Sequence, residues 1–280
     1  MKIAIVTDST CDLPADSVQR YGIEVLPLFI QMGEERLMDG VNITKDEFYT
    51  RLPDYDPAPT TATPGPEIFI THYEELADKG FEAILSIHIS EVLSATINSA
   101  RTAAKEFTRI PVSVLDSGQL SLGLGFLVEK AARMAQSGNK IEEILESLKD
   151  LMPRTYVFAA LDTLEYLRRS GRMHVAVARF GEILKLKPLL HMNQGKPVAH
   201  RVRTTRRATE RLISWLDEYG PFQELAVLHA GVESRAEALR EQVRNYLPDA
   251  EISIQQITPA LGCHLGVGAL GFAVISQEIN

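Results

Sequence analysis

The sequence is poor in cysteine. Cys11 and Cys263 are the only two among 280 residues, too few for a disulfide framework, and this usage is typical of a reducing compartment. Neither belongs to a C-x-x-C pair, so no zinc site is predicted.

Long apolar runs are also missing. The first, residues 3–6, is followed by Thr7 and Asp8 and is too short for a signal peptide, and no stretch of about 18 apolar residues occurs. We therefore expect a cytoplasmic protein without stable membrane insertion.

An excess of basic residues, which a nucleic-acid-binding protein usually carries, is absent. Lys and Arg number 29 against 37 Asp and Glu, a formal net charge of −8. The sequence also contains no GxxxxGK[ST] loop, no GxGxxG after the first predicted strand and no GxSxG elbow. The acidic balance argues against a nucleic-acid partner. The missing motifs leave nucleotide binding by this chain, and hydrolysis by a nucleophile elbow, without support. No cofactor is expected.

The first half alternates short β-branched runs with helical patterns. This alternation predicts a parallel, doubly wound α/β domain over residues 1–153, because right-handed crossover helices must pack back onto the sheet. The predicted strands are 3–7, 24–31, 83–89 and 112–115.

The pattern changes after Pro153, where we place the domain boundary. A hairpin is predicted around residues 193–196, and helices mix with strands up to residue 275. This predicts a carboxyl-terminal mixed α/β (α+β) domain over residues 154–280. Its predicted elements are strands 156–161, 188–192, 197–202, 225–230, 251–257 and 269–275 and helices 164–169, 205–219 and 234–246.

A glycine-rich segment, residues 262–268, places His264 before an apolar strand. We predict a loop there, with two interpretations: a polar ring held near a ligand head group, or glycines that only turn the chain while His264 binds a carbonyl. Cys263 and His264 are neighbours whose side chains point to opposite sides of an extended segment, so a catalytic dyad is not expected.

Two segments are rich in hydroxyl groups. Residues 59–66 hold Thr60, Thr61 and Thr63 among prolines, and Thr63 is predicted to cap a helix that starts near residue 66. Ser94 and Thr96 follow a predicted strand and begin the next helix. They either cap that helix or help to bind an anion at the carboxyl edge of the sheet.

Basic side chains are concentrated in one short span. The default interpretation is a solvated helix face, and the alternative is docking to an acidic partner or a phosphate. Gly171 is predicted to stop a helix, which leaves Arg172 free to point elsewhere. The basic cluster comprises Arg201, Arg203, Arg206, Arg207 and Arg211, with Lys196 nearby.

Taken together, these segments resemble the DegV family over residues 2–274. The order and spacing carry the resemblance, since each motif alone is weak. The motifs are VTDSTCDLP, DGVNIT, PTTATP, ISEVLSAT, LEYLRRSGRM, LKLKPLL, VRTTRRA and GCHLGVGALG.

The resemblance implies a protein similar to the fatty-acid-binding subunit of bacterial fatty acid kinase. Such a protein binds one long-chain fatty acid between two α/β domains and presents its carboxylate to a separate ATP-binding kinase. It is therefore expected to be a carrier and not itself an enzyme.

Matching motifs assign roles to individual residues. Thr61, Ser94 and His264 would hydrogen-bond the carboxylate, and Arg172 would lie near it. Asp39, in the DGV turn, would face the kinase. Ala62, Ala95, Cys263 and Leu265 depart from the family pattern around the contact residues.

The basic cluster supplies a further candidate for the kinase-facing surface. We predict that Arg201, Arg203, Arg206 and Arg207 dock the partner.

Two other functions stay open. The first is an acyl hydrolase or transferase that uses Ser94 or Cys263 with His264, which requires a base within hydrogen-bond reach of the nucleophile. The second is a regulatory module with a vestigial pocket, which would bind no lipid.

Overall fold

The computed structural model describes residues 1–172, 186–193 and 195–278. Gln194 of the predicted hairpin turn, Met173 of the LEYLRRSGRM motif and residues 184–185 of the LKLKPLL motif lie outside these ranges.

The described chain forms strands that belong to three sheets. In chain order the strands are β1 Ile3–Asp8, β2 Glu24–Leu26, β3 Phe29–Met32, β4 Glu35–Met38, β5 Thr60–Ala62, β6 Ala83–His88, β7 Val112–Asp116, β8 Thr155–Ala160, β9 Lys187–Asn193, β10 Lys196–Val202, β11 Phe222–His229, β12 Ser253–Gln256 and β13 Leu270–Ser276.

The helices, numbered over the same described ranges, mostly connect or cover these strands. They are α1 Ala15–Tyr21, α2 Lys45–Arg51, α3 Pro66–Asp78, α4 Thr96–Glu106, α5 Ser121–Gln136, α6 Ile141–Leu151, α7 Glu165–Arg169, α8 Thr205–Tyr219, α9 Glu233–Val243 and α10 Pro259–Leu265.

The first sheet is parallel and has the order β2-β1-β6-β7. Alternate residues of β1 face opposite layers: Ile3 and Ile5 pack in the cluster that contains α5, and Ala4 and Val6 pack with α3 and α4. Helices therefore cover both faces, which confirms the predicted parallel α/β architecture.

The run 24–31 was predicted as one strand, and this is wrong. Residues 24–26 join the parallel sheet as β2, whereas β3 belongs to a three-stranded antiparallel sheet of order β4-β3-β5. Pro27 lies between the two strands and has no amide proton to continue a ladder. This small sheet carries Thr61 on β5.

The second large sheet is mixed and has the order β10-β9-β8-β13-β11-β12. β9 and β10 form the predicted hairpin, and β13 lies between β8 and β11, antiparallel to both. The outer face packs with α8 and α9 around Trp215. The fold is thus a parallel sheet and a mixed sheet with helices, as predicted.

The two halves of the chain share one apolar core. A single buried cluster includes Leu85 and Leu127 from the first half and Leu190 and Ala273 from the second. The boundary at residue 153 stays a prediction, since contiguous packing joins the two sides.

Within the described residues, no helix is both long and apolar enough to cross a bilayer.

Candidate functional site

A pocket of about 1070 Å³, including its part open to solvent, lies between the parallel sheet and the six-stranded sheet. Its wall is mostly aliphatic. Across the six-stranded sheet, Leu228, Gly271, Ala159 and Leu190 pair in one row, and all four line the pocket. The small side chains in the middle of this row leave room above the sheet.

The four predicted ligand-binding residues line this one pocket. Thr61 lies on β5, Ser94 lies before α4, Arg172 lies after α7 and His264 lies in the last turn of α10. Residues far apart in sequence thus place hydroxyl, imidazole and guanidinium groups in a mostly apolar cavity, which is the arrangement expected for an amphipathic ligand.

His264 has one satisfied ring nitrogen and one unsatisfied. Nε2 is hydrogen-bonded to Thr61 Oγ1 at 3.0 Å, whereas Nδ1 is buried and has no partner. Burial, and secondarily the positive charge of Arg172, lowers the pKa of His264 to about 4. The ring is therefore neutral at pH 7, and it holds a polar atom that a ligand could satisfy.

Ser94 is held at the start of α4. Its Oγ accepts from the Thr96 amide at 3.3 Å and lies 2.9 Å from Thr96 Oγ1. When Thr96 donates in this contact, the Ser94 hydroxyl proton is available to an acceptor in the pocket. The N-cap of α4 is Ala95 and no side chain caps the helix, so the capping interpretation is wrong, and ligand binding by Ser94 stays a prediction.

Arg172 follows the predicted helix stop. α7 ends at Arg169, and Gly171 adopts φ 73°, which favours glycine. Arg172 Nη1 donates to the Ser170 carbonyl at 3.0 Å. The side chain turns back beside the pocket and supplies a positive charge near His264.

The predicted loop around His264 is wrong in part, because residues 259–265 form α10. Pro259 occupies its first turn, which suits proline since that amide needs no helical partner. The chain loops only after Leu265.

Gly262 is required by packing. A Cβ there would lie 2.6 Å from Phe48 Cε1 and 2.8 Å from the Tyr49 hydroxyl. The close approach suggested by this glycine-rich segment is therefore, at Gly262, the approach of α10 to α2.

The predicted cap at Thr63 is also wrong. The N-cap of α3 is Gly65, no side chain caps this helix, and Pro66 is in its first turn.

The predicted partner-facing residues divide into two groups. Asp39 is 2 % exposed and accepts hydrogen bonds from Ser9 Oγ and the Ala260 amide, so its carboxylate does not face a partner, which corrects that prediction. The basic residues at the end of β10 and the start of α8 are exposed: Arg201, Arg203, Arg206 and Arg207.

Sequence reasoning missed several polar residues at the pocket. Thr10 and Ser121 line it, and Asp12 bonds Ser121. Thr10 and Asp12 stand in the motif after β1, but no spacing rule connects them with Ser121.

Neither hydrolase candidate forms the required contact. Cys263 is 0 % exposed, and burial raises the pKa of its thiol far above the ordinary value. His264 Nε2 bonds Thr61, and Ser94 bonds Thr96. In the part of the chain that the structure describes, no cluster of three or more His, Cys, Asp or Glu residues could hold a metal ion.

Related sequences match almost the entire chain. A DegV domain-containing protein of Streptomyces coelicolor is 36% identical over 279 residues, covering 98% of this chain and 99% of its own. Protein DegV of Bacillus subtilis is 33% identical over 276 residues, covering 97% and 98%.

Solved structures of similar fold also match almost the entire chain. Bacillus subtilis DegV, described as a fatty acid binding protein, has a TM-score of 0.91 at 32% identity, covering 99% of this chain and 100% of its own. A fatty-acid-binding DegV family protein of Thermus thermophilus has a TM-score of 0.89 at 33% identity with the same coverage. A stearic acid-binding protein of Eubacterium ventriosum has a TM-score of 0.85 at 26% identity, covering 98% of both chains.

The family model described as "Uncharacterised protein, DegV family" matches residues 2–277. With the agreement in sequence, in fold and in the position of the motifs, the chain belongs to the DegV family.

Proposed function

We propose that this protein binds one long-chain fatty acid in the pocket and presents its carboxylate to a separate ATP-dependent kinase. The observation that carries the proposal is the Thr61–His264 pair beside Ser94 and Arg172 in a pocket whose remaining wall is mostly aliphatic. The fatty-acid-binding DegV proteins of similar fold support it.

The apolar wall would supply the affinity. A C16 acid has about 14 methylenes, and at ~0.8 kcal/mol each their burial is worth roughly 11 kcal/mol before association costs. Losing one polar contact would therefore leave the lipid bound.

The polar groups would orient the carboxylate. A neutral His264 with its proton on Nδ1 donates to the carboxylate, while Thr61 donates to Nε2 and fixes this tautomer. Ser94 donates a second hydrogen bond, and the charge of Arg172 favours the ionised acid. The reaction with ATP would belong to the kinase.

Native mass spectrometry, with a second spectrum after organic extraction, tests lipid binding. We expect a stoichiometric long-chain fatty acid, or uptake of added palmitate or oleate by the extracted protein. A protein that is empty and takes up neither acid would contradict the proposal.

Acyl-phosphate formation, measured with a bacterial fatty acid kinase and ATP added to the loaded protein, tests presentation. Formation should require this protein, and equal formation from free palmitate alone would contradict the carrier role. The hydrolase alternative predicts instead that the isolated protein turns over a chromogenic acyl ester.

A further inference from the structure

Two buried carboxylates lie at the N-terminus of α10, the helix that carries His264. Asp12 is 1 % exposed and Asp39 is 2 % exposed. Asp12 Oδ1 accepts from the Thr258 amide at 2.7 Å, and Asp39 Oδ2 accepts from the Ala260 amide at 3.4 Å. Negative charge at this end of a helix is favourable because the free amides point toward it.

Asp12 also connects α10 with the pocket wall. Its Oδ2 accepts from Ser121 Oγ, and Ser121 lines the pocket. Asp12 (φ 54°) and Ser121 (φ 51°) are the two non-glycine residues of the described chain with positive φ. Such backbone persists only where surrounding contacts impose it, so this hydrogen bond joins two strained positions.

Asp39 makes the corresponding connection to the small sheet. Ser9 Oγ donates to Asp39 Oδ2 at 2.7 Å and accepts from the Leu28 amide at 3.1 Å. Asp39 Oδ1 and Thr258 Oγ1 are buried without a partner. The contacts of Asp39 are thus incomplete, and its charge is only partly compensated.

We propose that Asp12 and Asp39 are positioning residues for His264: their negative charge holds the first turn of α10, and loss of that charge moves His264 at the opposite end. This inference rests on the proposed function, in which His264 binds the carboxylate. α10 has seven residues and is about 10 Å long, so a movement of its first turn reaches the Thr61–His264 contact.

The charge of the pair changes near neutral pH. Burial raises the pKa of Asp12 to about 6. Burial, with the charge of Asp12 as a further contribution, raises the pKa of Asp39 to about 7. Lys45 of α2 opposes both shifts.

Three other ionisable groups that face the pair, Tyr49, Cys11 and Cys263, keep their protons between pH 5 and 8. Burial raises the pKa of Tyr49 on α2, of Cys11 beside Asp12 and of Cys263 on α10 above their ordinary values. The charge of Asp8, at the end of β1, contributes to the raised pKa of Cys11. His264, with its pKa near 4, remains neutral over the same range.

The test follows the ring ¹⁵N resonances of His264 from pH 5 to 8 in the full-length protein, first lipid-free and then loaded with [1-¹³C]palmitate. His264→Gln identifies the resonances. We expect them to shift with midpoints between about pH 6 and 7, although the ring itself does not titrate there. The ¹³C signal of bound palmitate should follow the same midpoints.

The variants Asp12→Asn and Asp39→Asn keep a side-chain oxygen as acceptor and remove the charge. Each should abolish its step in the His264 titration. Glu24→Gln is the matched control, because Glu24 is a partly buried carboxylate bonded to His72, and it should leave both steps unchanged.

Ser9→Ala provides a second test if an Asp variant fails to fold. Ser9 stabilises the ionised form of Asp39, so its loss should move the upper midpoint to higher pH. A flat His264 titration in the wild type, or midpoints unchanged in all three variants, overturns the proposal. Absence of palmitate uptake contradicts the proposed function instead, and the lipid-free titration still decides the role of the pair.

Discussion

At the scale of single residues, Asp8 anchors a buried hydrogen-bond chain. It accepts from His88 Nδ1 at 2.9 Å and from the Ile89 amide at 3.1 Å, and His88 Nε2 lies 2.7 Å from Ser86 Oγ. Tyr73 donates to Ser86 at 3.0 Å. These hydrogen bonds join the ends of β1 and β6. The segment after β1 carries Thr10 and the segment after β6 carries Ser94, and both residues line the pocket.

This hydrogen-bond chain contains the residue types of a Ser–His–Asp catalytic triad, but its side chains are not exposed. Asp8, Ser86 and His88 are each 0 % exposed, and none of them lines the pocket. A nucleophile must reach its substrate, so the arrangement is structural.

Replacing Thr61 by Val should separate lipid binding from presentation. Valine has nearly the same volume but cannot bond His264, so we expect palmitate to be retained and acyl-phosphate formation to fall about 10-fold, the effect of losing one hydrogen bond. Mass spectrometry measures the retained palmitate, and an assay with added kinase measures acyl-phosphate formation. Thr60→Val is the matched control because Thr60 is exposed on the same strand. Equal rates for the two variants would contradict the role of the Thr61–His264 pair.

Asp39→Asn should become relatively more stable as pH rises. The unfolded chain loses the Asp39 proton near pH 3.8, whereas the folded protein keeps it to about pH 7, so wild-type stability falls between these values. Asparagine does not titrate, and the variant's unfolding free energy should gain on the order of 3 kcal/mol relative to wild type from pH 4 to 8.

Urea denaturation at each pH measures this difference. Glu24→Gln should show the opposite sign between pH 4 and 6, because the hydrogen bond with His72 lowers the pKa of Glu24 and raises that of His72, so the charge of Glu24 stabilises the fold while His72 is protonated. A difference between Asp39→Asn and wild type that does not change with pH would show that the burial of Asp39 has no electrostatic cost.

At the scale of elements, periodicity located most helices and strands but not α10, β4 or β5. Because of Gly262 and Gly266, residues 262–268 are predicted as a loop. The helix observed there depends on hydrogen bonds from its first amides to Asp12 and Asp39, about 220 to 250 positions earlier in the chain. β5 has three residues and exists because β3 pairs with it. Contacts so distant in sequence leave no local pattern.

The basic cluster at the start of α8 yields a prediction about docking. Arg206→Glu with Arg207→Glu should weaken kinase binding at least 10-fold while fatty acid retention is unchanged, because both side chains are exposed and neither lines the pocket. Arg240→Glu with Arg244→Glu makes the same charge change in the last turn of α9 and at the residue that follows it. Surface plasmon resonance measures the affinity. Equal losses in the two double variants would indicate a general charge effect and exclude a specific docking surface.

At the scale of the whole molecule, the ligand should act as part of the core. Both halves line the pocket, so a fatty acid that binds only the folded state should raise the unfolding free energy by about 2.7 kcal/mol at a free concentration of 100 times Kd. Thermal denaturation of extracted protein with increasing palmitate measures this. Hexadecanol, which has the same tail without the carboxylate, is the control. A Tm independent of palmitate would contradict binding between the halves.

The overall architecture could be predicted because its signals are local, whereas the site could be assigned only through the resemblance. Residues 3–6 and 83–88 read as buried parallel strands from their composition, and both are. Thr61, Ser94, Arg172 and His264 carry no common spacing, so only their match to family motifs grouped them. No sequence pattern distinguished Asp39, which is buried, from the exposed arginines as a candidate for the partner-facing surface.

The order of strands in the mixed sheet has a consequence for biosynthesis. β13 occupies the middle of the sheet and pairs with β8 and β11, yet residues 270–276 leave the ribosome about 110 residues after β8. At roughly 5–20 residues per second this interval lasts about 5 to 20 s. Until then one edge of β8 and one of β11 are open, and the wall that includes Gly271 does not exist. We therefore expect the proposed lipid to bind only after β13 has emerged, and the unpaired edges of β8 and β11 to be accessible to other chains within that interval.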